Sequence, residues 1–533
     1  MAFLLQKLKE MLNKFLIKLI INIYLNKFII RIKSKKIHIE NYNYDFQNIN
    51  FENIEEARKI LFSKKFYSKK LSDFKNNSYH CFNWLIAAKK IGGAESISVS
   101  KKQIFNWQQK KYSKNSYIWD YEALVKRTTN LLYNYDFYAV SSNANEKKYF
   151  HNLIYEHYLI LETIFKFKKT KDIRIDYIKI IILLRLIYSK EINDILKTLE
   201  INIKDVVDNN GFHKSYNPSK QAEFINQLHE IKNIFLFFNV DSTSKIDDQL
   251  FSMSSAFNNL FHKDSSIALF NGSNNLNISK YKKINQIIKD IKPKKMHKII
   301  NGLCIYSDKN KKIFYDAVKP SNQQINQKLH SGTFSFEMSS NKEKIITNCG
   351  SIEKRFGEKP EYLRYSAAHS TLVINNTNIS ELSKKSYKRI PKKIYFDCHE
   401  DDEKIIWTSS HDGYHLNFGR IVKRKIIISK KKDKIFGEDI ILPSKFNSKK
   451  LIYNIRFHLT PICSGLLTNS KKSILIKTVK GQSWVFSSVN PITLEDSICI
   501  NNGKEIEQTK QIVITNYTDS SKRKENWIIE KVN

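Results

Sequence analysis

The sequence predicts a protein of two parts, a helical region followed by an antiparallel β-sandwich. Between about residue 41 and residue 295, apolar side chains recur at the i, i+3, i+4 and i+7 spacing of amphipathic helices. From about residue 300 the pattern changes to alternation, in segments rich in β-branched and aromatic residues. Short breaks between the helices predict antiparallel helix pairs in a toroid or a solenoid. Closely spaced strands with almost no helix between them predict a sandwich.

Each predicted element is bounded by short polar breaks, of which 208–211 is an example. The predicted helices are Ile54–Phe66, Ser100–Lys110, Trp119–Tyr133, Lys147–Phe167, Ile173–Tyr188, Asn193–Thr198 and Pro218–Phe238. The predicted strands are Leu303–Tyr306, Ile313–Ala317, Thr333–Met338, Lys344–Asn348, Ser370–Asn375, Lys393–Cys398, Lys404–Ser409, Tyr414–Phe418, Val422–Ser429, Lys434–Ile441, Ile455–Leu459, Ser473–Lys477 and Ser483–Ser487. The triplet His411–Gly413 is predicted to be a hairpin turn.

Changes of composition divide the chain into a basic amphipathic helix at 1–40, a helical domain at 41–298 and a β domain at 299–533. In the first segment the longest uncharged run, 19–26, is much shorter than the ~20 apolar residues of a membrane-spanning helix. We expect this helix either to pack on the helical domain or to make a peripheral contact with an anionic membrane surface. No small-residue cleavage site follows it, so no secretory signal is evident.

The chain is strongly basic, because 90 lysines and arginines oppose 52 aspartates and glutamates and give a net charge of +38. Such an excess attracts phosphate, sulfate or carboxylate groups. Lysine, asparagine and isoleucine are abundant in almost every segment, however, so a general bias of composition explains the charge equally well. No nucleic-acid-binding signature is present. We therefore expect an acidic substrate and no nucleic-acid partner.

Several classes of protein have no support in the sequence. The six cysteines lie far apart and form no C-x-x-C pair, which excludes zinc fingers, iron–sulfur proteins and thioredoxin-type sites. No Gly-rich phosphate loop, G-x-S-x-G elbow or H-E-x-x-H motif occurs, so NTPases, serine hydrolases of that type and zincins are excluded as well.

Three stretches of the β region resemble the C-terminal domain of the heparinase II/III family. They are His330–Met338 (HSGTFSFEM), Ile346–Gly350 (ITNCG) and Tyr365–Asn375 (YSAAHSTLVIN). In order and spacing they are similar to the family's SFEL strand after a His-rich loop, its D-x-G strand end and its A-H-N-T-V strand. Supporting stretches that resemble the proteobacterial branch are His80–Trp84, Asn217–Pro218, Leu269–Gly272 and Arg456–Leu459. The resemblance covers most of the chain from about residue 40.

This resemblance implies an α+β multidomain fold, in which an N-terminal α/α toroid (an incomplete barrel) precedes a C-terminal antiparallel β-sandwich. It also implies β-elimination on a uronic-acid-containing acidic polysaccharide. That reaction needs a group that neutralises the uronate carboxylate, a base that removes the C5 proton and an acid that protonates the departing oxygen. Histidine and tyrosine are the usual pair in the family.

In the β region, the family's H-x-H-x-D loop falls on Lys328, His330 and Gly332. The histidine that looks catalytic in the family is therefore Lys328 here, whereas the second histidine is kept as His330. The D-x-G aspartate falls on Asn348 and the A-H-N histidine on His369. Because this set can hold a structural zinc in family members, the resemblance implies a candidate Zn²⁺ site at His330, Asn348 and His369. Asparagine is a poor zinc ligand, and two hydrogen-bonded histidines without metal are the alternative.

In the helical region the match is less complete. The family's catalytic tyrosine follows an S-P pair in a toroid loop, and Lys220 occupies that position here. Tyr216 and His213 lie close enough to substitute, on a loop whose Asn, Gly and Pro content suits a cleft-lining turn. A family Asn–His pair falls near His157, where the histidine is kept and the carboxylate-neutralising asparagine is absent.

The candidate catalytic residues are therefore His330, Tyr216, His369 and His213. The candidate substrate-binding residues are Arg355, Arg364, Lys328 and His157. The two arginines are chosen because arginine binds carboxylates with two parallel hydrogen bonds. Surface arginines without that role, and a histidine that only packs on its helix face, are the alternatives.

The sequence thus predicts a polysaccharide lyase of heparinase II/III type. The alternative is a non-catalytic polysaccharide-binding or cell-envelope biogenesis protein on the same scaffold, which the replacements at Lys328, Asn348 and Lys220 favour. The family resemblance implies a location in the periplasm or cell envelope. The cytoplasm is the alternative, because no signal peptide is evident.

Overall fold

The computed structural model describes residues 61–62, 79–109, 117–167, 173–241, 244–275, 299–300, 302–320, 329–352, 360–382, 387–444 and 449–532. The helix predicted at 1–40 and the candidate residues Lys328 and Arg355 lie outside these ranges. The described residues up to Asp205, together with Gln227–Ile246, form a first compact unit. Val206–Asn226 and the described residues from Asp247 onward form a second. The domain limits predicted at residues 40 and 298 stay predictions.

The described part of the chain up to residue 275 is mainly helical, as its apolar periodicity predicts. The helices are α1 Trp84–Ile91, α2 Gly93–Gln109, α3 Tyr121–Tyr133, α4 Tyr135–Ala139, α5 Ala144–Phe167, α6 Ile175–Ile187, α7 Asn193–Val206, α8 Pro218–Phe237 and α9 Ser244–Asn258. In the first unit, α3 packs against α5 and α6. None of the helices in the described ranges is long and apolar enough to cross a membrane.

The start of α8 shows how the sequence specifies a helix end. The side-chain oxygen of Asn217 accepts the backbone N–H of Lys220 at 3.0 Å, so Asn217 caps the helix. Pro218 takes the first helical position, where a backbone N–H is not needed. This cap fixes the point at which the loop that carries Tyr216 passes into the helix.

The second unit contains two large antiparallel sheets and a small two-stranded one. Its strands are β1 Ile299–Ile300, β2 Leu303–Ser307, β3 Lys311–Asp316, β4 Phe336–Ser340, β5 Glu343–Thr347, β6 Leu372–Ile374, β7 Glu381–Leu382, β8 Tyr387–Arg389, β9 Ile394–Glu400, β10 Lys404–Tyr414, β11 Arg420–Ser429, β12 Lys434–Pro443, β13 Leu451–Leu459, β14 Cys463–Leu467, β15 Ser473–Thr478, β16 Ser483–Ser488, β17 Ile492–Cys499, β18 Glu507–Thr518 and β19 Arg523–Val532. One sheet has the order β1-β2-β3-β4-β5-β13-β18-β17, with β6 paired to β13. The other has the order β14-β15-β16-β19-β12-β11-β10-β9.

The two sheets share one apolar core, as in a sandwich. Alternate residues of β11 and β12 are buried, which is the pattern of strands with one face against a core. Trp407, Trp484 and Trp527 are among the largest side chains of this core, and none is more than 1% exposed. The change from helical periodicity to alternation near residue 300 therefore predicted this part of the fold correctly.

The segment 404–418 corrects one prediction. His411–Gly413 is not a hairpin turn but lies inside β10, where the register with β11 shifts between His411 and Tyr414. Residues 415–418, predicted as a strand, form the short helix α10 His415–Phe418. The glycine serves close packing here, because a Cβ atom on Gly413 would lie 2.8 Å from Cγ2 of Ile379. An Asp-Gly pair occurs in β-bulges as well as in hairpin turns, so the pair alone does not distinguish the two structures.

Strand β3 presents two different faces to the rest of the second unit. Ile313 and Tyr315 belong to the core between the sheets. Phe314 and Asp316 alternate with them and therefore lie on the opposite face of the sheet. On that face the ring of Phe314 lies 6.2 Å from the ring of Phe270. The segment around residue 270 thus covers the outer face of β3.

A buried glutamate fixes that segment to the sheet. Glu337 on β4 pairs with Lys344 at 2.8 Å and with Nε2 of His262 at 2.9 Å. Its carboxylate also accepts the backbone N–H groups of Leu269 at 3.0 Å and of Asn348 at 2.9 Å. Burial alone would raise the pKa of Glu337, but Lys344 and His262 outweigh it and lower this pKa to about 2. The charged carboxylate therefore holds three segments of the second unit together.

Candidate functional site

Two of the predicted catalytic residues, His330 and Tyr216, line one pocket of the second unit. Together with the open solvent at its mouth, the pocket measures about 330 Å³. Its wall consists of residues from the loop before α8, from the segment after α9, from the end of β3 and from the loop before β4. These residues are Lys214, Ser215, Tyr216, Asn271, Asp316, Val318, Lys319, Pro320, Leu329, His330 and Thr333.

The loop before α8 is shaped by one glutamine side chain. The side-chain oxygen of Gln221 accepts the backbone N–H of His213. Its amide group donates to the carbonyl of Gly211 at 2.8 Å and to that of Met253 at 2.9 Å. Gln221 is 1% exposed, so its hydrogen bonds satisfy backbone groups of the loop that water does not reach. This role of Gln221 was not predicted from the sequence, since no motif indicates it.

Two wall segments are fastened to each other by asparagines. Asn217 donates to the carbonyl of Asn271 at 2.7 Å, and Asn271 donates in return to the carbonyl of Ser215 at 3.1 Å. Asn271 adopts a positive φ of 54°, a backbone conformation that asparagine tolerates better than most residues. The Asn-Pro and Asn-Gly pairs at these two places therefore hold two segments of the pocket wall together.

His369 determines the protonation pattern of His330. Nδ1 of His369 lies 2.8 Å from the carbonyl of Tyr365, which can only accept, so this nitrogen carries the proton. Burial lowers the pKa of His369 to about 4, although the Tyr365 carbonyl opposes this, so the ring is neutral at pH 7 and its Nε2 is an acceptor. Nδ1 of His330 lies 3.2 Å from that nitrogen and must donate to it. In neutral His330 the unprotonated nitrogen is therefore Nε2.

Both histidine rings pack against glycines. A Cβ atom on Gly272 would lie 2.8 Å from Nε2 of His330, and one on Gly332 would lie 2.7 Å from Cδ2 of His369. Gly272 also has a positive φ of 85°. The absence of side chains at these two positions leaves room for the rings in the orientation that their hydrogen bond requires.

Tyr216 lines the pocket, but its hydroxyl has another partner. That hydroxyl donates to the carboxylate of Asp208 at 2.8 Å, and Asp208 is not among the lining residues. Tyr216 also has a positive φ of 47°, which is unusual for a bulky residue and costs conformational energy. The loop is thus held in a strained shape, and the hydroxyl must leave Asp208 before it can donate its proton to a substrate.

His213 stands behind the wall rather than on it. Its Nδ1 accepts the backbone N–H of Ser215 at 3.1 Å and lies 2.7 Å from the hydroxyl of the same residue. Burial, assisted by Lys220, lowers the pKa of His213 to about 3, so the ring stays neutral. It is not a lining residue, but Ser215 is one, and so is Tyr216, whose N–H donates to the carbonyl of His213 at 2.7 Å.

The implied zinc ligands do not fit a metal site in this arrangement. The side-chain oxygen of Asn348 accepts the N–H of Ser370 at 3.0 Å, and its amide donates to Glu337 at 3.1 Å. His330 and His369 face each other and share a hydrogen bond. No group of three or more His, Cys, Asp or Glu side chains within the described ranges is arranged to hold a metal ion.

Arg364 supports the loop of His330 from outside the pocket. Its guanidinium donates to the carbonyl of Leu329 at 3.3 and 3.4 Å. Its own carbonyl accepts the N–H of Ser331 at 2.8 Å. Both chain neighbours of His330 are therefore tied to Arg364, which is not itself a lining residue.

His157 lies in the first unit and is completely buried. Its Nε2 accepts a hydrogen bond from Nε of Arg127 at 2.7 Å, and its Nδ1 lies 2.7 Å from the carbonyl of Leu153. Arg127 in turn stacks on Trp107 and Trp119, at 4.4 and 5.0 Å from their ring centres. Burial, with the charge of Arg127, lowers the pKa of His157 well below its usual value. Both ring nitrogens are occupied within the helical core.

Sequence analysis missed three charged residues of the pocket wall. Asp316 at the end of β3 is buried, Lys214 is half-buried and Lys319 is exposed. In the sequence, Asp316 is only an acidic residue that follows a short apolar run at the end of a strand. Many strands end in this way, so the pattern does not indicate a functional residue. The two lysines do not stand out in a chain with lysine in almost every segment.

Comparisons with known proteins agree with this architecture. Residues 299–528 match the family model described as Heparinase II/III-like, C-terminal. The structure is similar to that of heparinase III, with a TM-score of 0.70 and 13% identity over 96% of this chain and 89% of that one. It is also similar to heparan sulfate lyase HepC from Pedobacter heparinus, with a TM-score of 0.61 and 12% identity over 97% and 88% of the two chains. No curated protein matches the sequence.

At such low identity the structural likenesses establish the fold alone. They confirm the predicted fold class, a helical toroid followed by an antiparallel β-sandwich. The family model adds the identity of the second part. The described strands from β1 to β19 fall almost entirely within its limits. Residues 299–528 are therefore similar to the C-terminal domain of heparinase II/III-like proteins, as the three sequence motifs predicted.

Proposed function

We propose that the protein is a polysaccharide lyase that cleaves a uronic-acid-containing acidic polysaccharide by β-elimination. One observation carries this proposal: His330 and Tyr216 line the same pocket, and His369 holds His330 with its basic nitrogen unprotonated. The similarity of residues 299–528 to a family of polysaccharide lyases supports the reaction type. Pockets that combine an oriented histidine with charged groups are typical of acid–base catalysis.

In this mechanism His330 is the base. Nε2 of the neutral ring takes the C5 proton of the uronate, and the positive charge that develops is shared with His369 through the Nδ1–H hydrogen bond. His369 is a positioning residue, because it fixes the tautomer and the orientation of His330. Arg364 has a similar role for the backbone on both sides of His330.

The two lysines of the wall supply the positive charge that the reaction needs. Removal of a proton from C5 is favoured when the adjacent carboxylate is neutralised. Lys214 and Lys319 belong to two different segments of the pocket wall and can attract that carboxylate. The net charge of +38 also favours the approach of an anionic chain, and it does so more strongly at low ionic strength.

The test is a panel of heparan-type, chondroitin-type, alginate and bacterial capsular polysaccharides incubated with the full chain. β-Elimination creates a C4=C5 double bond conjugated to the carboxylate, which absorbs ultraviolet light. We expect a rise of absorbance with one class of substrate, lost in His330→Ala and retained in His399→Ala. His399 is an exposed histidine of β9 and controls for the loss of a ring. A flat trace on every substrate contradicts the proposal.

The second candidate is a non-catalytic protein that binds polysaccharide or serves envelope biogenesis. The observation that favours it is the hydrogen bond between Tyr216 and Asp208, which withholds the hydroxyl from the pocket. A binder predicts measurable affinity for one of the same polysaccharides, with no unsaturated product. Equilibrium binding by calorimetry therefore separates the two candidates, and Lys319→Ala should weaken binding in either case.

We also propose a location in the periplasm or cell envelope, where an acidic polysaccharide would be encountered. This follows from the family resemblance, and the cytoplasm is the alternative. Fractionation of cells that express the full chain, with a cytoplasmic and a periplasmic marker followed in parallel, tests the proposal. Recovery with the cytoplasmic marker alone contradicts it.

A further inference from the structure

Asp316 is a carboxyl group on the wall of the same pocket, and no motif of the sequence singles it out. It ends β3 on the face opposite to the inter-sheet core, which is the face covered by the segment around Phe270. Asn271, the next residue of that segment, is also part of the wall. Asp316 is 6% exposed and lines the pocket together with His330. A substrate in the pocket would therefore lie beside a residue with a buried carboxyl group.

The surroundings of Asp316 favour the protonated form of this carboxyl. One of its oxygens accepts the N–H of Val318 at 3.1 Å, and within the described ranges it forms no ion pair with a lysine or arginine. Burial raises the pKa of Asp316 to about 7, although the hydrogen bond from Val318 opposes this. A carboxyl group of this kind holds a proton near neutral pH and can give it away.

The other titratable groups near Asp316 belong to different segments. On the pocket wall they are Lys214 and Tyr216 from the loop before α8, Lys319 from the segment after β3 and His330 from the loop before β4. On the neighbouring strand β2, burial raises the pKa of the Cys304 thiol well above its usual value, and Asp316 contributes to this. An ionised Asp316 would also repel a substrate carboxylate, which is a second reason for a neutral state during binding.

We propose that Asp316 is the acid that protonates the departing glycosidic oxygen in the pocket of His330. This inference rests on the proposed lyase function and adds a residue to it. It assigns this step to Asp316 rather than to Tyr216, a candidate acid or base whose hydroxyl is bonded to Asp208.

The proton balance of the step is complete without any further reactant. Nε2 of His330 takes the proton from C5, and the electron pair of that bond forms the C4=C5 double bond. The C4–O bond breaks, and the departing oxygen takes the proton of Asp316. The products leave with Asp316 ionised and His330 protonated, and exchange with water returns both groups to their starting states.

A purely structural role for Asp316 predicts different behaviour. The hydrogen bond from Val318 resembles the turn in which an aspartate side chain accepts a backbone N–H two residues later. Asparagine preserves that bond, since its side-chain oxygen accepts in the same way. Asp316→Asn therefore keeps the turn and removes only the exchangeable acidic proton, whereas Asp316→Glu keeps an acid at a changed position.

The experiment measures kcat and KM against pH for the full-length wild type, Asp316→Asn and Asp316→Glu, on the polysaccharide that the wild type cleaves. We expect Asp316→Asn to lower kcat by about 100-fold or more, with KM within about twofold, as for the loss of a general acid. The wild-type kcat should fall as the pH rises through about 7, and this limb should be absent in Asp316→Asn. Asp316→Glu should keep the limb, at a shifted pH. Circular dichroism and thermal unfolding verify that each variant is folded.

A second substrate sharpens the assignment. A uronide that carries nitrophenoxide at C4 has a leaving group that needs no proton, so Asp316→Asn should regain most of the wild-type rate on it. Equal loss on both substrates, or an unchanged kcat in Asp316→Asn, overturns the inference while leaving the lyase function intact. Absence of lyase activity in the wild type overturns the proposed function and the role of Asp316 with it. If Asp316→Asn does not fold, the inference is overturned when the kcat of Asp316→Glu does not decrease at alkaline pH.

Discussion

Replacement of Asp316 by asparagine should change the way in which the stability of the second unit depends on pH. The carboxyl group is buried, and its only hydrogen bond among the described residues is the one from the N–H of Val318. Asparagine has the same shape and keeps that bond, but it does not titrate. The difference between the two proteins at each pH therefore reports the protonation of this one group.

The magnitude follows from the displaced pKa. Desolvation raises the pKa of Asp316 from 3.8 to about 7. Each pKa unit corresponds to about 1.4 kcal/mol, so protonation of this group contributes at most about 4 kcal/mol to the free energy of unfolding. Because the folded state holds the proton more tightly, this stability is complete below about pH 4 and is lost as the pH rises through about 7. Between pH 5 and pH 8 the wild type should lose about 3 kcal/mol that Asp316→Asn does not lose.

The assay is urea-induced unfolding at several pH values, followed by the fluorescence of the core tryptophans of the sandwich. Asp397→Asn, an exposed change on β9, serves as the control. We expect the free energy of unfolding of Asp316→Asn to rise relative to the wild type as the pH increases, whereas the control should follow the wild type. Parallel curves for Asp316→Asn and the wild type would show that the carboxyl is ionised across this range, and the reasoning about its burial would be refuted.

Three further changes test the framework of the site. Gly332→Ala should cost about 1–3 kcal/mol of stability and abolish lyase activity, because the new Cβ would lie 2.7 Å from the ring of His369. Thermal unfolding measures the loss of stability, and the absorbance assay measures the loss of activity. Asn217→Ala should cost about 1 kcal/mol, measured by urea unfolding, because it removes the cap of α8, and an unchanged midpoint would contradict this. Glu337→Gln should cost about 3 kcal/mol or more, measured in the same way, since it leaves the buried Lys344 without its carboxylate; a loss below 1 kcal/mol would be inconsistent with the pairing.

The change in apolar period predicted the two-part fold, because core burial imposes period 3.6 on helices and period 2 on strands. The prediction failed at 411–418, where the sequence alternates but the chain forms a bulge and a short helix. The reason is tertiary: Gly413 packs against Ile379, a residue far away in the sequence. Local pattern contains no information about such a contact.

The site was only partly predictable for the same reason. His330 and His369 belong to family motifs, so the resemblance identified them. The structure places Nδ1 of His330 3.2 Å from Nε2 of His369. Tyr216 was named from its position near an Asn-Pro pair, and it lines the pocket with His330. Asp316 was missed, because its chemistry arises from burial by segments distant in the sequence. Arg355 lies outside the described residues, and its role stays a prediction.

The most direct test of the account is the initial rate at which His330→Ala forms unsaturated uronate, relative to the wild type and to His399→Ala. We expect a rate at least about 100-fold below that of the wild type, because the base that removes the C5 proton is missing. His399→Ala should keep the wild-type rate. A rate for His330→Ala within a few fold of the wild type would contradict the assignment of this pocket as the site of elimination.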